Sequence, residues 1–66
     1  MNVKYPAVHV KLVGEDGNAF SIIGRVVLAL QRARVTNDEI TAFKNEATSG
    51  DYENLLGTCM RWVTCD

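Results

Sequence analysis

The sequence contains little of what most catalytic and metal-binding sites need. Its 66 residues include one histidine, two cysteines and one proline. A structural zinc site needs about four ligands, and His9, Cys59 and Cys65 supply three at unsuitable spacing. Nothing marks a nucleophile beside the single histidine, so the spacing supports no catalytic triad. We therefore expect no metal, no cofactor and no enzymatic activity.

A strong charge of one sign and a long uninterrupted apolar run are also missing. The net charge is −1 at pH 7, so no overall field attracts nucleic acid or an anionic membrane. Arg25 interrupts the longest apolar stretch, so we expect no membrane span. Met1 leads into strand-like sequence without signal-peptide features, and the cysteines are most simply reduced thiols. The sequence thus predicts a cytoplasmic protein with no membrane or nucleic-acid partner.

The chain does contain enough apolar residues for one small core. Its hydrophobic content of 47% is typical of a packed globule. A chain of this length buries only about 60% of its unfolded surface and is marginally stable alone. Small domains usually add disulfides, a metal or a second subunit. Because cysteine and histidine are scarce, we predict a single domain over residues 1–66 that forms a homodimer.

The first predicted element is a β-strand that ends in an acidic, glycine-containing turn. Apolar and polar residues alternate over residues 8–12, which is the period of a half-buried strand. The segment "GEDGNAF", residues 14–20, then leads into an apolar run of about sixteen residues, longer than a usual strand. Phosphate cradle, hairpin turn and helix cap are its three alternatives. The length favours a helix over residues 19–34, capped by Asn18 or Asp16.

Two shorter helices and an ambiguous tail follow. Thr36 and Glu39 form a capping box, in which Thr36 caps forward and Glu39 reaches back. Gly50 suits a left-handed position after this second helix, and Asp51 caps a third. The tail "RWVTCD" contains residues that favour strands and would pair with residues 7–13. The sequence therefore predicts an α+β fold with an N-terminal strand and three helices, and a short C-terminal strand pairing with the first as an open alternative.

Helical periodicity assigns faces to these helices. Four residues share one exposed stripe of the first helix: Ser21, Arg25, Leu28 and Arg32. Apolar residues cover the remaining arc, so we expect this helix to be mostly buried. Gly24 in its middle would permit a close helix crossing. On the third helix, Tyr52 and Cys59 fall on the face that we expect to be buried.

The turn is the first candidate binding site. Backbone amides at a helix N-terminus bind anions, especially behind glycines, which makes Asp16, Gly17 and Asn18 candidate ligand contacts. However, "GEDGN" lacks the lysine of a phosphate-binding loop, and it places Glu15 and Asp16 where a phosphate would lie. A turn with a helix cap is the simpler interpretation.

The exposed stripe of the first helix is the second candidate site. Residues 19–35 contain three arginines and no acid, whereas residues 38–53 contain five acids and one lysine. Arginine and apolar residues are enriched in protein interfaces, which makes Arg25, Leu28 and Arg32 candidate contacts with a protein partner. The simpler alternative is a solvated stripe with one exposed leucine.

Four segments carry a resemblance to a known family: "VKLVGEDGNAFSIIGRV", "EITAF", "EATSGDY" and "MRWV". Together they cover nearly the whole chain, which resembles a family of short hypothetical proteins from phages, prophages and bacterial genomes. The resemblance implies a phage or mobile-element context. It implies no activity, and no catalytic residue can be carried over from it.

Two functional hypotheses follow. The first is a non-enzymatic interaction protein, a homodimer, that binds a host or phage macromolecule; an inhibitor of a bacterial defence system fits this description. The second is a protein that sequesters a nucleotide or another small molecule at the N-terminus of the first helix. A purely structural or assembly role is not separable from the first hypothesis by sequence.

Overall fold

The computed structural model describes residues 2–66. Five elements follow one another along the chain: strand β1 (Tyr5–Val10), helix α1 (Ala19–Arg32), helix α2 (Asn37–Ala47), helix α3 (Tyr52–Trp62) and strand β2 (Val63–Cys65). The strands pair to form a two-stranded sheet. The predicted α+β class, the three helices and the C-terminal strand that pairs with the first strand are therefore confirmed.

The two strands run parallel, and all three helices form the connection between them. Val10 pairs with Cys65, and the register is irregular toward the start of β1. Pairing continues past the strand ends, where the Leu12 amide donates to the Asp66 carbonyl at 3.0 Å. An isolated pair of strands is marginally stable in water. The sheet therefore depends on the helices that pack against it.

One face of each element contributes to a single core. Its buried apolar residues are Val8, Val10, Ile22, Val26, Leu30, Ile40, Phe43, Ala47, Leu55, Cys59, Trp62 and Val63. Burying one large apolar side chain contributes about 1.5–3 kcal/mol. Cys59 is buried as predicted, and the Trp62 and Phe43 rings meet edge to face at 5.6 Å. Burial of Trp62 follows from its position in the last turn of α3.

The prediction that α1 is mostly buried is wrong. Only a stripe of one residue per turn is fully buried, and Phe20 and Leu28 are exposed. The physical reason is size, because a chain this short has too few other elements to surround a helix. Helix α1 is an ordinary amphipathic helix whose outer surface is available for contacts.

The predicted helix caps are present. The side chains of Asn18, Thr36 and Asp51 accept hydrogen bonds from the amides of Phe20, Glu39 and Asn54. The second half of the predicted capping box is absent, because the Glu39 carboxylate turns toward β1. It lies 2.8 Å from Lys4 Nζ and accepts a hydrogen bond from the Tyr5 hydroxyl at 2.9 Å. These bonds, chiefly the one from Lys4, lower the pKa of Glu39.

Two predictions about glycine are also wrong. Gly50 does not take a left-handed conformation, which within residues 2–66 only Gly14 (φ 80°) and Arg34 (φ 64°) adopt. Gly50 instead lies close to Asn54, whose Cβ would be 3.0 Å from a Cβ added there. Gly24 is exposed, and an added Cβ would meet nothing within 4 Å. No helix therefore crosses closely at Gly24.

Candidate functional site

The turn before α1 is a closed hydrogen-bond network centred on Asp16. One carboxylate oxygen of Asp16 accepts from the Asn18 amide at 3.0 Å, and the other accepts from the Ser21 hydroxyl at 3.0 Å. These two bonds, the backbone bond first, lower the pKa of Asp16. The Asn18 side chain accepts from the Phe20 amide at 2.9 Å. Side chains of the turn thus occupy two of the amides that an anion would use.

Gly17 connects the turn to α3. Its carbonyl accepts a hydrogen bond from the Tyr52 hydroxyl at 2.6 Å. Tyr52 was predicted to be buried but is 47% exposed, because its ring reaches over the turn instead of into the core. Residues 14–20 are therefore a strand-to-helix turn with a helix cap, which answers the question of its three alternatives at the level of fold.

Arg25 departs from the exposed stripe of α1 and turns back to the same turn. Its Nη2 donates to the Asp16 carbonyl at 2.8 Å, and the side chain is half-buried. Its Nε is enclosed and has no hydrogen-bond partner within residues 2–66. A buried donor without a partner costs about 1–3 kcal/mol. Arg25 therefore links the two predicted sites and is held in a conformation that leaves one N–H unsatisfied.

Leu28 and Arg32 are exposed as predicted, and the structure brings them next to β1. A cavity of about 280 Å³ lies between α1 and the end of β1. Its lining consists of His9, Val10, Lys11, Arg25, Leu28, Ala29 and Arg32. The three predicted contact residues of α1 thus share one surface with the end of the first strand.

A second cavity, of about 490 Å³, continues along the same strand. It is lined by residues 5–8 of β1, by residues 33–36 after α1, and by Lys4 and Glu39. The two cavities adjoin, because the lining passes from one to the other at consecutive residues on both sides. We call the two cavities together the basic groove.

Positive charge is concentrated in the basic groove. Five of the seven lysine and arginine residues line it: Lys4, Lys11, Arg25, Arg32 and Arg34. Of the eight acidic residues only Glu39 lines it, and Glu39 already pairs with Lys4. The groove is therefore positive although the chain has a net charge of −1. Sequence reasoning grouped the arginines but missed the two lysines, which reach the groove through β1.

The groove follows the unpaired edge of β1. The Val10 carbonyl accepts from the Asp66 amide at 2.9 Å, and the Leu12 amide donates to the Asp66 carbonyl at 3.0 Å. Peptide groups alternate in direction along a strand, so those of His9 and Lys11 point away from β2. The sheet has two strands, which leaves this edge without a neighbouring strand.

The described residues provide little for other kinds of chemistry. Residues 2–66 contain no group of three or more histidine, cysteine, aspartate or glutamate side chains placed to hold a metal ion. Burial raises the pKa of the Cys59 thiol to about 11, which keeps it protonated at neutral pH. None of the helices in this part of the chain is long and apolar enough to cross a membrane.

Comparison with known proteins adds no assignment. No protein-family model matches the chain, and no curated protein or solved structure is significantly similar to it. The interpretation of the site therefore depends on the geometry and charge of the groove and on the edge of the strand beside it.

Proposed function

We propose that this protein is a non-enzymatic binding protein whose basic groove holds an extended acidic segment of a partner protein. One observation carries the proposal: five basic side chains line a groove that follows the unpaired edge of β1. A strand edge recognises peptide backbone through hydrogen bonds. Basic side chains beside it attract and orient an acidic segment.

The bound segment adds to the sheet as a third strand next to β1. The peptide groups of His9 and Lys11 supply backbone donors and acceptors, whereas Pro6 has no N–H to offer. Backbone pairing therefore centres on the second half of the strand. Leu28, which is 46% exposed, gives an apolar contact, and Arg32 lines the same cavity to pair with carboxylates.

Arg25 supports a carboxylate as the group that is recognised. At present its Nη2 binds a neutral carbonyl and its Nε has no partner. A guanidinium binds a carboxylate through two parallel charge-assisted hydrogen bonds, which are about twice as strong as neutral ones. Rotation of Arg25 toward a bound carboxylate would satisfy the unpaired Nε.

A protein fits the groove better than a nucleic acid. Binding to single-stranded nucleic acid uses exposed aromatic rings on which bases stack. The aromatic ring of the groove, Tyr5, is half-buried, and its hydroxyl is bonded to Glu39. The negative net charge also opposes approach to a polyanion outside the groove.

The resemblance to short phage and prophage proteins supports a cellular context. We propose that the chain acts as a homodimer in the cytoplasm of a bacterial cell, where its partner is a host or phage protein. Inhibition of a bacterial defence protein is the role that fits this context. Sequestration of a nucleotide at the N-terminus of α1 has less support, because Asp16 already occupies that site and its carboxylate repels phosphate.

Fluorescence anisotropy with a labelled probe peptide tests the proposal. The probe is an extended peptide of alternating glutamate and valine, and the matched probe has lysine in place of glutamate. We expect the acidic peptide to bind and the basic one not to bind. Arg32→Glu should weaken binding at least about tenfold, which is roughly 1.4 kcal/mol. Lys44→Glu changes an exposed basic residue outside the groove and should not alter the affinity.

Three outcomes would contradict groove binding. They are equal affinity for both peptides, equal loss in the Arg32 and Lys44 variants, and tighter binding of a single-stranded DNA oligonucleotide than of the acidic peptide. Circular dichroism of each variant separates a loss of binding from a loss of fold.

A further inference from the structure

Exposed large apolar side chains are concentrated on a second surface. Of the five such residues in the described part of the chain, Leu28 lies in the basic groove, and the others are Val13, Phe20, Tyr52 and Met60. Val13, Tyr52 and Met60 line one cleft together with Leu56. Phe20 and Tyr52 line the cleft beside it. We call these five residues, Leu56 included, the apolar face.

The apolar face contains a recess. The cleft lined by Val13, Tyr52, Leu56 and Met60 has a volume of about 420 Å³. Its Tyr52 wall is fixed, because the hydroxyl of Tyr52 donates to the Gly17 carbonyl at 2.6 Å. The recess is therefore present before any partner binds.

The apolar face also contains a projection. The Phe20 side chain is 85% exposed, although its backbone is held by the hydrogen bond to the Asn18 side chain. Two aromatic rings of about 150–250 Å² each, with Val13 and Met60, expose on the order of 500 Å². That area lies at the upper end of the largest apolar patch on a typical monomer. It is a large part of the roughly 800 Å² per partner in a stable interface.

We propose that a second copy of this chain covers the apolar face, with the Phe20 ring of each copy inserted in the recess of the other. A projection and a matching recess on the same surface make that surface self-complementary, so a two-fold contact closes at two copies. A chain of this length also gains the most from a second subunit, because it buries only about 60% of its unfolded surface alone.

The charges around the apolar face argue against other occupants. The charged residues that line its two clefts are Asp51 and Asp66, and no basic residue lines either of them. An anionic membrane and a nucleic acid would both meet negative charge there. Two copies of the face also place acids near each other, so added salt screens a repulsion and strengthens the dimer.

Dimerisation in this way leaves the basic groove accessible. Phe20 lies near the start of α1 and Arg32 at its end, which places them about 18 Å apart along the helix axis. The homodimer then presents two grooves at once. This inference does not require that the grooves bind an acidic segment, so either proposal can fail without the other.

Sedimentation velocity over a range of protein concentrations tests the interface. We expect the wild-type chain to be a dimer, and Phe20→Ser and Met60→Ser to be monomers with unchanged circular dichroism. Leu28→Ser removes an exposed apolar residue from the other surface of α1 and should remain a dimer. Phe20→Ser should also bind the acidic probe peptide with wild-type affinity per groove, which distinguishes the two proposals.

Four results would overturn the interface. A wild-type monomer would show that no copy covers the face, and a series of growing oligomers would show a contact that does not close. A dimer that persists in both the Phe20 and Met60 variants would place the contact elsewhere. A dimer that dissociates as salt is added would contradict the charge argument.

Discussion

The basic groove and the apolar face use the same helix in opposite ways. The last turns of α1 bring Leu28 and Arg32 next to the edge of a strand, and the first turn presents Phe20 beside a recess. Basic residues dominate the groove, and none lines the two clefts of the apolar face. Salt is therefore expected to weaken contacts in the groove and to strengthen those of the face.

The two surfaces also differ in how well their polar groups are satisfied. In the groove, Arg25 Nε has no partner, and the edge of β1 has no neighbouring strand. At the apolar face, the Tyr52 hydroxyl is already bonded to Gly17. A partner of the groove is therefore selected by hydrogen bonds and charge, whereas a partner of the face is selected by shape and burial. One small chain can in this way have two specificities that do not compete.

Arg25 gives the largest expected effect among the variants that divide the two surfaces. Arg25→Ala should lower affinity for the acidic probe peptide about tenfold, because hydrogen bonds to charged groups contribute about 1.5–3 kcal/mol. Its stability to urea should change by less than about 1 kcal/mol, since losing the bond to Asp16 is offset by removal of the unsatisfied Nε. Dimerisation should not change. A large loss of stability with normal affinity would make Arg25 a structural residue instead.

Acidic pH gives a smaller effect, in which the groove and the fold are coupled through Glu39. The pKa of Glu39 is lowered chiefly by Lys4, and that of Glu46 chiefly by Arg61. A lowered pKa means that the stabilisation is complete above the ordinary value of 4.5 and is lost as pH falls through the lower, folded value. Urea midpoints should therefore fall in that range.

The variant Glu39→Gln isolates this contribution. It should be less stable than wild type at neutral pH and should show a shallower decline in acid, because it has lost one of the shifted carboxyls. Parallel curves for wild type and variant would show that Glu39 does not contribute to the acid sensitivity.

Gly24→Ala gives the smallest expected effect. Gly24 lies between the two surfaces on α1, it is exposed, and an added Cβ meets nothing within 4 Å. Alanine should raise the free energy of unfolding by about 0.5–1 kcal/mol, measured by urea denaturation. Neither peptide affinity nor dimerisation should change. A change in either would place Gly24 within a contact and would break the separation of the surfaces.

Helix boundaries could be predicted from the sequence because they depend on neighbouring residues. Asn18, Thr36 and Asp51 cap amides two or three positions away, and each cap is present. The C-terminal strand was left as an alternative, because three residues are too few to show a period. The wrong assignment of Tyr52 to the buried face has the same origin, since periodicity ignores a hydroxyl bond to Gly17, 35 positions away.

The candidate site was only half predictable. Arg25, Leu28 and Arg32 share one helix, so their grouping is visible in the sequence. Lys4 and Lys11 join them only because β1 packs beside α1. The apolar face was missed for a similar reason, because Phe20 and Met60 belong to different helices and each resembles a core residue. Contacts between distant segments decide both surfaces.

The pairing of the first strand with the last has a consequence for the order of folding. The Thr64 hydroxyl donates to the Pro6 carbonyl at 2.8 Å across 58 positions of the chain. Closing so long a loop is entropically costly, and such distant pairings form late and slow the reaction. Until β2 arrives, both edges of β1 lack a partner. The folding intermediate most prone to aggregation is therefore one in which the helices have docked and the sheet is still open.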